Sequence, residues 1–191
     1  MDMQLTPSEV LRERERGLVR RASLLRLAVS AAATVACTLV LFGLLFGVAI
    51  VHGDSMNPAF RNSDLALFSR LGRSGGYGAG DVVILRTQAK GLQTEAMGLR
   101  KYVKRVVGTP GDLVDIGPYG VSVNGEPLAE PYAAGVTAPK DSVQFPLRLG
   151  EGEYFVLGDN RENSSDSRSF GAVTVKNIDG RVLAVLRAGR P

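Results

Sequence analysis

Ser55 stands in the run His52-Gly53-Asp54-Ser55-Met56-Asn57-Pro58, a glycine-bearing bend that ends in proline. A serine hydroxyl is a poor nucleophile until a neighbouring base takes its proton. Histidine is the usual base, and this chain has only one, His52. It lies three residues before Ser55, and in an extended segment side chains at that separation point to opposite faces. A Ser-His-Asp triad is therefore disfavoured. The nucleophile elbow G-x-S-x-G fails as well, because Asn57 replaces its second glycine and no helix pattern follows.

Lysine is the remaining candidate base, and the chain has five: Lys90, Lys101, Lys104, Lys140 and Lys176. Lys90, Lys140 and Lys176 sit in polar or irregular surroundings. Lys104 lies inside a strand-like run, with Tyr102 and Val106 on its own face. To work near neutrality its pKa, ordinarily ~10.4, must fall by about 3, at a cost of roughly 4 kcal/mol. Burial against apolar neighbours does this. On these residues alone a solvated strand lysine is the more ordinary reading.

A third stretch, Gly158-Asp159-Asn160-Arg161-Glu162-Asn163-Ser164-Ser165-Asp166-Ser167-Arg168, is a dense polar loop directly after an apolar run. Three ordinary readings compete for it. It fits a solvated surface loop. It fits a calcium loop poorly, lacking the glycine of the EF-hand pattern. Asn163-Ser164-Ser165 matches the glycosylation sequon, a frequent chance match. A functional reading has its hydroxyls orienting a neutral lysine while Asp166 and Arg168 brace the loop.

The elements that must position these residues fall into an anchor and a domain. Residues 27–51 form an uncharged run of 25. As a helix that run is roughly 37 Å long, against a hydrocarbon core of ~30 Å. A cleavable signal peptide has an apolar region of only ~7–15 residues, so a retained transmembrane anchor is favoured. Six arginines (12, 14, 16, 20, 21 and 26) precede the run, and only Arg61 and Arg70 lie within 20 residues after it. The positive-inside rule then puts residues 1–26, a basic arm, in the cytoplasm and 52–191 outside. Thr6-Pro7-Ser8-Glu9 reads as the start of a short solvated helix in that arm. Gly43 and Gly47 match the small-xxx-small pairing pattern, a weak pointer to a homodimer through the anchor.

The remaining 140 residues, 52–191, are long enough to bury a core. Apolar runs at 65–68, 82–85, 102–107, 113–116, 121–123, 154–157 and 182–186 read as strands. Asn124-Gly125 is a hairpin-type turn. Residues 72–80 read as a glycine loop, 87–98 as a polar connection and 127–146 as an irregular excursion. No amphipathic helix pattern follows residue 52. The predicted class is mainly β, with antiparallel sheets behind one N-terminal transmembrane helix. A formal charge of +4 spread over 191 residues is too dilute to suggest nucleic acid as a partner, and none is expected. The single cysteine, Cys37, leaves the redox compartment open.

Four stretches in order resemble bacterial signal peptidase I, the membrane-bound Ser-Lys protease. Gly53-Asp54-Ser55-Met56-Asn57-Pro58 is similar to its nucleophile box and Gly80-Asp81-Val82-Val83 to the next strand box. The run from Tyr102 through Lys104 to Asp112 resembles the general-base box, and Gly158 to Arg168 the last box. The resemblance implies Ser55 as nucleophile and Lys104 as general base. It implies Ser164 as a hydrogen-bond partner of the lysine, with Asp166, Arg168 and nearby Arg105 in supporting roles. The oxyanion would be held by the Ser55 backbone N–H. Some members add a serine hydroxyl at the position that Gly53 occupies here, so any second donor must come from elsewhere.

The resemblance also implies two antiparallel β-regions, the smaller at 113–152, and substrates that are preprotein signal peptides with small residues at −1 and −3. The substrate would dock as an extended strand, with the lipid bilayer as the other partner. It implies no metal or organic cofactor. A self-cleaving repressor would need a DNA-binding N-terminal domain, which an arm and an anchor do not supply. A pilus-processing or conjugation-type peptidase and an inactive membrane-anchored scaffold are the other readings.

Overall fold

The structure, a computed structural model, describes residues 7–71, 76–86 and 101–187. The expected connection at 87–98, part of the glycine loop at 72–80 and the Thr6 cap lie outside the described residues. The chain divides into two units, Met1–Leu44 and Leu45–Pro191.

The first unit is a helix. Helix α1 (Pro7–Leu45) has 39 residues. Proline opens it, where its missing N–H has no intrahelical acceptor to lose. The arm from Pro7 and the apolar run as far as Leu45, expected as separate pieces, are one continuous helix. Its stretch Ser23–Leu45 is long and apolar enough to cross a membrane, about 34 Å at helical rise.

The second unit begins with a correction. The apolar run 27–51, expected as helix throughout, leaves the helix at Leu45 and continues as strand β1 (Phe46–Ile50). From Val48 to Val51 exposure alternates exposed, buried, exposed, buried, the period of a strand. Gly47 permits close pairing: a Cβ there would collide with the Phe68 ring. Gly47 therefore lies in a sheet, and the Gly43/Gly47 pair is not a motif on one helix.

The strands that follow are β2 (Leu65–Ser69), β3 (Val82–Leu85), β4 (Tyr102–Gly108), β5 (Leu113–Gly117), β6 (Gly120–Val123), β7 (Glu126–Pro127), β8 (Leu147–Arg148), β9 (Glu153–Leu157), β10 (Val173–Thr174) and β11 (Ile178–Leu186). They form two antiparallel sheets. The larger has the order β1-β2-β11-β3-β4-β9-β10 and the smaller β7-β6-β5-β8. The smaller sheet falls inside the expected 113–152 region. Asn124 (φ 55°) and Gly125 (φ 86°) make the turn between β6 and β7, the pair of positive φ values that an Asn-Gly hairpin turn requires.

Three apolar clusters support the sheets. Val83, Leu85, Val106 and Val156 pack together on one side. Met56, Phe60, Phe68, Ile84 and Val103 pack in a second cluster. Val114, Leu149, Phe155 and Leu157 fill the third, under the smaller sheet. Alternation along β3 divides its residues between the first two clusters, and the pairing of β3 with β4 sets Lys104 opposite Val83. The only α-helix described after residue 52 is α2 (Ser167–Phe170), one turn long and capped by Asp166.

Candidate active site

Ser55 lies on a tight turn after β1. The Asn57 N–H donates to the Asp54 carbonyl and the Phe60 N–H to the Met56 carbonyl. Met56 and Phe60 are buried in the core next to Phe68, so apolar burial on either side of the serine fixes the turn. Gly53 enters it at φ +79°, a left-handed conformation that glycine adopts without strain. Its N–H donates to Asn62 Oδ1 and is thereby occupied. The Ser55 N–H donates to nothing among the described residues.

Strand β4 carries Lys104 to this turn. Lys104 Nζ donates to Ser55 Oγ at 2.7 Å and to the Val103 carbonyl at 3.1 Å. The lysine is 1% exposed. Burial pulls its pKa from 10.5 to about 8; Asp166 and Asp159 pull it back up, and Arg168 and Lys140 push it further down. The solvated strand lysine that the residues alone favoured is thus replaced by a desolvated one in contact with a serine hydroxyl. His52, by contrast, is exposed and pairs its Nδ1 with the Ile50 carbonyl.

The polar loop 158–168 closes over the pair and is mostly buried. The Asn160 N–H donates to the Ser55 carbonyl at 3.0 Å, and Asn160 Nδ2 to the Asp54 carbonyl at 3.1 Å. Gly158 is packed against the same turn. A Cβ on it would lie 2.5 Å from the Ser55 carbonyl oxygen and would overlap Ser164 Oγ.

Asp166 and Arg168 pair within the loop. Arg168 Nε and Nη2 donate to the two Asp166 oxygens, each at 2.9 Å, and Nη2 also reaches the Arg161 carbonyl. Burial pushes the Asp166 carboxyl up, but its bonds from Arg168 and the Gly158 N–H outweigh this and hold it below the usual carboxylate range. Arg105 grips the fully buried Asp159 with two bonds of 2.8 and 2.6 Å. Burial works against the Arg105 charge, and the Asp159 contacts overcome it and raise its pKa.

Ser164 departs from expectation. Its hydroxyl is buried and makes no hydrogen bond; Lys104 is bonded to Ser55 and Val103 instead. The hydroxyl lies close enough to the Asp166 carboxylate to help lower its pKa, without hydrogen-bond geometry.

Sequence reasoning missed the residues that tie the excursion 127–146 to this loop. Arg161 is buried and donates to both Glu130 oxygens at 2.8 and 2.6 Å, to Thr137 Oγ1 and to the Gly158 carbonyl. The Ala134 N–H donates to the Asp159 carbonyl and the Arg161 N–H to the Ala134 carbonyl. The Arg105 guanidinium stacks 4.0 Å from the Tyr132 ring centroid. No local pattern joins Glu130 to Arg161; only the fold brings them together.

The chain is similar to known proteins over most of its length. The family model described as "Signal peptidase, peptidase S26" matches residues 22–187. Signal peptidase I of Bacillus licheniformis is 31% identical over 155 residues, covering 76% of this chain and 79% of the relative. Signal peptidase I S of Bacillus subtilis is 31% identical over 171 residues, covering 84% of this chain and 88% of the relative. A crystal structure of a signal peptidase I from Enterococcus faecalis aligns with 56% of this chain and 97% of that chain, at 30% identity and a TM-score of 0.43. The protein is a hydrolase of the serine endopeptidase class. Within that class, the chain belongs to the peptidase S26 family of signal peptidases.

Proposed function

We propose that this protein is a membrane-anchored endopeptidase that removes signal peptides from exported preproteins, with Ser55 as nucleophile and Lys104 as its general base. One observation carries the assignment of the pair: a buried lysine ammonium nitrogen 2.7 Å from the Ser55 hydroxyl, beside no histidine. A lysine with a pKa of about 8 is neutral in an appreciable fraction near neutrality. Neutral Lys104 takes the Ser55 proton as Oγ bonds to the scissile carbonyl carbon. The Ser55 N–H, which has no acceptor of its own, stabilises the resulting oxyanion. Collapse of the intermediate expels the amine, which takes the proton from Lys104 and leaves Ser55 acylated. Water, deprotonated by Lys104, then releases the signal peptide and restores the hydroxyl.

The substrate enters as an extended strand, so that alternate side chains are read; small residues at −1 and −3 fit that mode. Helix α1 holds the enzyme at a plasma membrane as a single span. The six arginines at 12–26, N-terminal to the uncharged run, favour a cytoplasmic N-terminus and an extracytoplasmic catalytic unit.

The test is incubation of the full chain with a preprotein, followed by sequencing of the new N-terminus. Cleavage after small residues at −1 and −3 is expected. Ser55→Ala and Lys104→Ala should each abolish it, and His52→Ala should leave most of it. Loss of all cleavage in a folded His52→Ala protein would overturn the pair.

A further inference from the structure

Four charged groups act on Lys104 besides the serine it touches: Asp166, Asp159, Arg168 and Lys140. Three of them belong to closed ion pairs. Arg168 holds Asp166 with two bonds, and Arg105 holds Asp159 with two. The buried Arg161 of the same loop is likewise neutralised by Glu130. Lys140 is different. Its Nζ donates to the Ser164 carbonyl at 2.8 Å and to Ser169 Oγ at 3.2 Å. Among the described residues it has no carboxylate partner. Both its acceptors are uncharged, and both lie in the segment that encloses Lys104. Ser164 flanks Gly158, and Ser169 sits in α2, the turn capped by Asp166. The charge of Lys140 is therefore the one in this group that no local partner cancels, in a partly buried setting where screening by solvent is reduced.

We propose that Lys140, on the excursion, is a positioning residue for the reaction: it holds the Ser164 turn beside Lys104 by hydrogen bonds, and its charge adds to burial in disfavouring a second ammonium there. The inference rests on the reading of Lys104 as base. A positive charge nearby disfavours a second one. The contribution of Lys140 to Lys104 has this sign, against the two carboxylates that favour protonation. An excursion that sequence alone presents as an irregular loop thus helps to set the working pH of the enzyme.

The experiment is the pH profile of kcat/KM for peptide cleavage by the full chain, compared with Lys140→Gln and Lys140→Arg. Lys140→Gln retains a donor for the Ser164 carbonyl but loses the charge. Its rising limb should move to higher pH by about half a unit, so that kcat/KM near neutrality falls about threefold. KM should change little, and Lys140→Arg should restore the parent limb. A merely structural role would lower activity at every pH and leave the limb in place. That result, or superimposable profiles, would overturn the inference while leaving Lys104 as base intact. A parent profile with no rising limb would overturn the Lys104 reading itself. Lys140→Met provides a second uncharged variant should Lys140→Gln not fold, with the same shift expected.

Discussion

The Lys104 ammonium is expensive to keep charged in the fold. A pKa lowered from 10.5 to about 8 corresponds to about 3 kcal/mol of lost charge stabilisation. The folded protein binds fewer protons here than the unfolded chain does. Burial of Lys104 therefore penalises folding in full at pH below about 8, and the penalty fades as pH rises toward 10.5. Two outcomes follow from that sign. Activity should climb with pH through about 8 and then hold, as kcat/KM across pH would show. Lys104→Met, which keeps the stem and removes the charge, should be inactive yet at least as stable as the parent near pH 7; thermal unfolding of both across pH is the measurement. A clearly less stable Lys104→Met would mean a charged, paired lysine rather than a desolvated base. Gly158 carries a steric demand at the same scale. A methyl there collides with the Ser55 carbonyl and Ser164, so Gly158→Ala should lose most activity by displacing Ser55, with a Tm drop equivalent to about 1–3 kcal/mol.

At the scale of elements, the excursion and the polar loop act as one piece, with the Arg161–Glu130 pair as the clamp between them. The side chains of Arg161 and Glu130 are 0% and 10% exposed. Removing one member of such a pair leaves a buried charge unanswered, so Glu130→Ala should destabilise the fold by about 3–5 kcal/mol, read by denaturant unfolding. The activity loss should be larger than that of an exposed control such as Glu126→Ala. How much of this was legible from sequence differs by element. The strands were readable because apolar runs and Gly, Pro and Asn punctuation are local signals. The fate of residues 46–51 was not, because an uncharged apolar run satisfies a bilayer and a sheet equally well; the pairing of Gly47 beside Phe68 decides it, and that partner lies 21 residues on. Ser55, Lys104, Asp166 and Arg168 were readable as motif positions. The burial of Lys104 depends on the 158–168 loop, and the Glu130, Asn160 and Lys140 contacts depend on tertiary approach, so none had a local signature.

At the scale of the molecule, the connectivity of the larger sheet sets the last strand between the two halves of the site. The chain makes β1 and β2 around the Ser55 turn, then β3 and β4 with Lys104. These two antiparallel pairs are joined in the sheet through β11, the last strand of the chain, which bonds to β2 on one side and β3 on the other. The order of the strands along the chain is thus not their order in the sheet. Without residues 178–186, the Ser55 turn and the Lys104 strand belong to two strand pairs that lack the sheet's bridging strand. A chain ended after Asn177 should therefore cleave no peptide, although it holds both residues; activity should appear only when residues 178–186 are added. Strand β11 works as a keystone: it bonds to β2 on one side and β3 on the other, so the two halves of the site share one sheet only through a strand that follows both in the chain.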